Sequence, residues 1–264
     1  YNITVQRNVR HIINGELDLY LPDHNLAIEY CGLYWHSEQM GKNRLYHYNK
    51  WKQCQQQNIQ LLTIFSDEFL KNSKLVKQMI LHKVGQTTDK CYARNTTIEQ
   101  ITKQQAYDFC QQHHIQGFGK GTVHLGLFDQ QQLIGVCSFI KRNNFSWELT
   151  RYCTSQAIVG GFSKVVKYFE QNFNWEQITT FADLRWSNGN LYQQAGFKFD
   201  KQLPPDYSYI INNQRIHKFN FRHKYLPQKL ENYDPSLSEV ENMKNNGYTR
   251  IWNCGLLRFV KRRN

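Results

Sequence analysis

The chain has 264 residues, 40% of them hydrophobic, and its 33 Lys and Arg outnumber 21 Asp and Glu for a formal charge of +12. That length can bury two separate cores, and the charge favours a polyanionic partner. No run approaches eighteen apolar residues and no signal peptide opens the chain, so a membrane partner is not expected. Seven cysteines, an odd number without a C-x-x-C pair, argue against a disulfide framework and against a structural zinc site. They suit a reducing, cytoplasmic setting. Because position 1 is Tyr, residues ahead of it are expected in the full-length protein.

Arg7, Arg10 and His11 lead into the most informative stretch, Glu16 to His36. Residues 17 to 21 alternate Leu, Asp, Leu, Tyr, Leu, and residues 26 to 30 form a second strand, with Pro22 to Asn25 as the turn. A four-residue loop pairs Leu21 with Leu26 and sets Asp18 opposite Glu29. With side chains alternating at period 2, Glu16, Asp18, Glu29 and Cys31 share one face. Facing carboxylates destabilise a sheet, and a hard divalent cation is the economical reason to keep them. Gly32 to His36 follows, and a later apolar run, Leu61 to Phe65, ends in Ser66, Asp67 and Glu68. Two hairpin acids, a histidine just beyond and an acid closing the next strand suit a metal-dependent phosphodiesterase, with His36 moving a proton. Each residue alone also has an ordinary reading: surface charge for Asp18 and Glu29, a core side chain for His36, a helix N-cap for Asp67.

The run ELDLYLP, AIEYCGLYWHSE and the downstream IFSDEF resemble the Vsr-like homing endonucleases of phages, a branch of the PD-(D/E)xK nucleases with an E, D, H, D signature. The resemblance implies a magnesium- or manganese-dependent endonuclease acting on double-stranded DNA in the host cytoplasm. It gives Glu16, Asp18, His36 and Asp67 as catalytic residues; with Glu29 added from the hairpin pairing, Asp18, Glu29 and Asp67 are expected on the metal. Cys31 departs from the family pattern, standing where a D/E-x-K motif starting at Glu29 has lysine. Either His36 substitutes, or Lys50 reaches in from a helix at 41 to 57. A nuclease core whose missing lysine leaves it inactive, binding DNA without cutting, also stays open.

That helix, a strand at 60 to 66 and a basic helix at 69 to 84 complete a nuclease domain over residues 1 to 88. Gly85 to Lys90 reads as a link. Beyond it come a helix at 102 to 113, a hairpin of 124 to 128 with 133 to 139, a strand at 147 to 153, a glycine-containing loop, a helix at 162 to 173, and a strand at 178 to 183. This succession, over residues 92 to 229, resembles a GNAT acyltransferase fold. There the loop before the helix cradles the acetyl-CoA pyrophosphate, and the matching positions are Gln156, Gly160, Gly161 and Ser163, with one residue more before the first glycine than the family has. The domain is expected to bind DNA or to be structural, the alternative being an acetyl-CoA-dependent N-acyltransferase. Lys and Arg number sixteen against nine acids in residues 91 to 229, the largest excess of any segment, which assigns phosphate contact to this part. Phe219, Phe221 and Tyr225 interleave with basic residues, as nucleic-acid contact or as a sheet edge. Residues 230 to 264 are expected as a tail: a helix capped by Ser236 with Glu239, then a hairpin of Tyr248 to Trp252 with Leu256 to Val260. The fold class is α+β: a PD-(D/E)xK core, a GNAT-like mixed-sheet domain, and the helix-hairpin tail.

Overall fold

The structure is a computed structural model and describes residues 3–87 and 90–263. Its first sheet is built from β1 (Gln6–Val9), β2 (Leu17–Leu21), β3 (Leu26–Cys31) and β4 (Gln60–Phe65), in that order. The turn after β2 is a short 3₁₀ piece, Pro22–His24, closed by Asn25 at φ +45°, a left-handed conformation that Asn tolerates. Leu21 therefore faces Leu26, as the four-residue loop requires. β4 runs parallel to β3, which needs a crossover, and α1 (Tyr46–Gln56) supplies it. Leu61 to Phe65 is buried throughout, as a strand covered on both faces should be. The basic helix expected at 69 to 84 is two helices, α2 (Ser66–Lys71) and α3 (Ser73–Lys83). Asn72 leaves helical geometry and accepts the Leu75 N–H, a cap that the continuous apolar spacing had concealed.

From Lys90 the chain forms β5 (Lys90–Tyr92), β6 (Thr96–Gln100), α4 (Lys103–His113), β7 (Val123–Asp129), β8 (Gln132–Lys141) and β9 (Ser146–Thr154). Then follow β10 (Ala157–Val159), α5 (Gly161–Asn172), β11 (Gln177–Asp183), α6 (Asn190–Gln194) and β12 (Lys198–Leu203). β13 (Tyr207–Ile211), β14 (Gln214–His217), α7 (Glu239–Asn245), β15 (Arg250–Trp252) and β16 (Leu256–Arg262) end it. The succession of helix, antiparallel strands, glycine turn, helix and strand expected of a GNAT-like domain is present, in a seven-stranded sheet ordered β12-β16-β11-β9-β8-β7-β6. β9 and β11 are parallel, and β9 bulges at Thr150, where the pairing with β8 slips by one residue. Phe139, Trp147, Phe162 and Phe169 fill the core of this sheet.

The chain forms two compact units, whose bounds differ from the expected division into 1–88, 92–229 and 230–264. One unit gathers residues 1–71, 183–186 and 203–256; the other gathers 72–182, 187–202 and 257–264. The expected tail hairpin does not form. β15 pairs with β13 in a three-stranded sheet, and β16 lies between β12 and β11 of the large sheet, with Phe259 and Val260 buried. Local spacing had favoured the nearest strand as partner, whereas an apolar strand joins whichever sheet can cover it. The α7 cap is Ser238 with Glu241, two residues later than expected, because Ser236 is held by Asp234. Of the expected link at Gly85 to Lys90, Thr88 and Asp89 lie outside the described residues. Among the described residues no helix is long and apolar enough to cross a membrane.

Candidate active site

The site starts where the β2–β3 ladder stops. Leu19 facing Ile28 is its last regular pair, and the next residues along are Asp18 and Glu29. There the carboxylates take over from the carbonyls. Tyr30 N–H donates to Asp18 Oδ2 at 2.7 Å, and Asp18 N–H donates to Glu29 Oε1 at 3.2 Å. Side-chain acceptors thus satisfy the opened strand ends and fix both acids in place. Glu29 is 3% exposed. Its burial raises the carboxyl pKa, more than the Lys50 ammonium at 2.6 Å lowers it. Lys50 comes from α1, where His47, Lys50 and Cys54 recur at three- and four-residue spacing and so share one stripe. Of the two alternatives left by Cys31, the geometry brings in the lysine.

The second part of the site is a pair of histidines. His47 Nδ1 lies 2.7 Å from the Trp252 carbonyl oxygen, which can only accept, so Nδ1 carries the hydrogen. Burial, then the charge of neighbouring groups, depresses the His47 pKa to about 3, so the ring is neutral and Nε2 is an acceptor. His36 Nδ1, 3.0 Å away, donates to it. His36 Nε2 is left with its lone pair. Burial first, then Lys50 and Lys42, lowers the His36 pKa to about 4, with Asp18 opposing. This histidine is neutral at pH 7 and oriented to receive a proton. Cys31, fully buried at the end of β3, has its thiol pushed well above the usual range by burial and by Glu29.

Two expected site residues are engaged elsewhere. Glu16 is paired with Arg10 at 2.6 Å on the surface. Asp67, expected on the metal, opens α2 and accepts from the Arg215 backbone N–H and from its Nε, at 2.9 to 3.0 Å. Beside it Glu68 binds both Arg185 and Arg215, so the acids closing β4 are paired with arginines in this structure. The residues that sequence reasoning missed are His47, Arg185 and Arg215. The only local signal for His47 was its three-residue spacing from Lys50.

At the start of α5, Gly160 adopts φ +77°. The preceding Ala157–Val159 pairs in parallel with Lys90–Tyr92, and the Lys164 amine donates to the carbonyls of Ala93 and Thr96. The turn that the resemblance gives to a pyrophosphate is therefore lined by the chain's own residues 90 to 96.

No protein-family model and no curated protein sequence matches the chain. Solved structures similar to it include an acetyltransferase of Bacillus subtilis in complex with CoA, at 16% identity and TM-score 0.37 over 64% of this chain and 99% of that one. A GNAT family acetyltransferase from Elizabethkingia anophelis with acetyl-CoA bound gives 13% and 0.36, over 64% and 99%. The aminoglycoside 6'-N-acetyltransferase from Enterococcus faecium gives 12% and 0.36, over 63% and 96%. Likeness at this level carries neither a substrate nor a ligand across to this chain.

Proposed function

We propose that the unit holding residues 1–71, 183–186 and 203–256 is the catalytic part of a divalent-metal-dependent deoxyribonuclease. The observation that carries this is the opened end of the β2–β3 ladder, where Asp18 and Glu29 face each other with Lys50 on Glu29. Two hard carboxylates held by backbone N–H groups suit Mg²⁺ or Mn²⁺, which takes one or two carboxylates together with water and phosphate oxygens. Asp18 and Glu29 would hold the ion. When bound, it supplies charge to a phosphate oxygen and acidity to a coordinated water. His36 Nε2 accepts the proton from the attacking water, and His47 fixes the tautomer that makes this possible. Lys50 pairs with Glu29 and places an N–H donor beside the acid pair, able to bind a phosphate oxygen there.

Duplex DNA as substrate is supported by the charge of +12 and by exposed aromatic rings beside the site. Trp35 is 65% exposed and packs edge-on against Tyr34, itself half exposed. Large rings left open next to a histidine suit stacking on bases. The test is nicking of supercoiled DNA with Mg²⁺ by the parent and by Asp18→Asn. The variant should keep its fold and lose nicking by about 10³-fold or more, the scale of losing a principal charge-stabilising group. An Asp18→Asn protein that nicks like the parent overturns the reading.

A second reading, acetyl-CoA binding by the other unit, is favoured by its strand order and by Gly160–Gly161 opening α5. The pairing of β10 with β5 and the Lys164 contacts weigh against it. Calorimetry with acetyl-CoA separates the two, since absence of heat ends the second.

A further inference from the structure

Among the described residues, one atom each from Cys31, His36 and His47 lies within 4.8 Å of the others, a spacing that could hold a metal ion. The donor set differs in kind from the neighbouring acids. A thiolate with two imidazoles is soft to borderline and selects zinc-class cations, whereas carboxylates select magnesium. We propose that Cys31, His36 and His47 form a binding site for a single zinc-class divalent cation, held by Cys31 Sγ, His36 Nδ1 and His47 Nε2.

Three features of the geometry support it. The two ring nitrogens that face each other are 3.0 Å apart. Nitrogens sharing a tetrahedral zinc at about 2.0 to 2.1 Å lie roughly 3.3 Å apart, so the ion enters with a small outward movement. The far nitrogen of His47 already binds the Trp252 carbonyl at 2.7 Å, the outer contact that fixes the ring of a metal-bound histidine. Finally, Cys31 and His47 are buried while His36 is partly exposed, so the trio has a closed floor and an open side. Three protein ligands leave the fourth position to water. On binding, the Cys31 thiol loses its proton to solvent, and the His36 Nδ1 hydrogen passes to Nε2 through solvent, so that Nδ1 can ligate.

The site shares His36 and His47 with the nuclease reading but does not depend on it, and one consequence does rest on that reading: zinc on Nδ1 puts a hydrogen on the nitrogen that should accept from water. Zinc would then inhibit a magnesium-dependent reaction.

The experiment is titration of the full chain with Co²⁺, followed by absorbance, and then displacement by Zn²⁺. The expected result is one ion per chain with a thiolate-to-cobalt charge-transfer band. Cys31→Ser should abolish that band, and His47→Gln should weaken affinity by more than the roughly 10- to 100-fold that losing an outer partner costs. Asp18→Asn should leave the band in place. No band in the parent, a band that survives Cys31→Ser, or one removed by Asp18→Asn each overturns the site. Nicking with Mg²⁺, with and without Zn²⁺, reads the consequence separately. A cobalt band in a protein that never nicks keeps the site and sinks the nuclease reading; nicking untouched by saturating zinc sinks the inhibition.

Discussion

The two histidines make the sharpest residue-scale prediction, because their environments reverse the ordinary expectation of an inflection near 6.5. His36, with its pKa lowered to about 4, faces Lys50 and Lys42, opposed by Asp18, and stacks on a neutral His47. His36 should therefore contribute no inflection at 6.5 and take its proton only near 4, after Glu29, whose pKa is raised by burial. A limb at 6.5 in the parent that His36→Ala removes would refute this assignment. Stability follows the same sign: the unfolded chain takes these protons from about 6.5 downward and the folded chain resists until about 4 and 3. The contribution is complete above 6.5 and is lost as pH falls through the folded values. Melting between pH 7 and 5 should accordingly shift less in His47→Gln than in the parent. Asp18, Glu29 and His36 were legible in the sequence because period-2 alternation and a four-residue turn fix their placement locally. His47 was not, since its partner Trp252 is 205 residues away and nothing in the α1 spacing marks that carbonyl.

At the scale of elements, the end of β4 shows how an acidic cluster is held by arginines. Asp67 and Glu68 open α2, where negative charge suits the positive helix end. Glu68 is bound by both Arg185 and Arg215, and Arg185 also holds Asp183 at 2.8 Å. These arginines lower the Glu68 pKa against the burial that raises it. Arg185 has a side chain 4% exposed, so removing it takes a buried cation away from Asp183 and leaves Glu68 to Arg215, which is more than deleting a surface pair. Arg185→Ala should destabilise the fold by about 3–5 kcal/mol in denaturant titration. A loss below about 1 kcal/mol, the surface value, would show that water reaches the cluster. The local elements were read well: α4 begins at a Thr102 capping box, and β7, β8 and β9 fall within one or two residues of their expected spans. What failed were pairings across long separations, β15 with β13 and β16 within the large sheet, because apolar spacing states that a strand is buried and not against what.

For the molecule as a whole, the interleaving of the two units changes how DNA binding can be dissected. Deleting residues 92–264 would remove Arg215 and Trp252, which hold Asp67 and His47, so truncation tests folding before it tests binding. Charge substitution is the cleaner probe. The unit of residues 72–182, 187–202 and 257–264 carries 18 Lys and Arg against 8 acids, while the other carries 15 against 13. Nearly all of the +12 thus resides outside the unit that holds Asp18 and Glu29. If the partner is duplex DNA, the basic unit supplies most phosphate contacts, and affinity should fall steeply with salt. Lys198 and Lys201 on β12 and Arg262 on the adjacent β16 are exposed and sit on neighbouring strands, which makes them the place to cut. Changing all three to Ala should flatten the slope of log affinity against log salt by about 0.9 for each phosphate that is no longer neutralised. The magnesium dependence of nicking should stay as in the parent, because none of the three belongs to the acid pair or the histidine relay. An unchanged slope would place any DNA contact in the unit that holds Asp18 and Glu29, leaving Lys42, Lys50 and the open face of Trp35 to carry it.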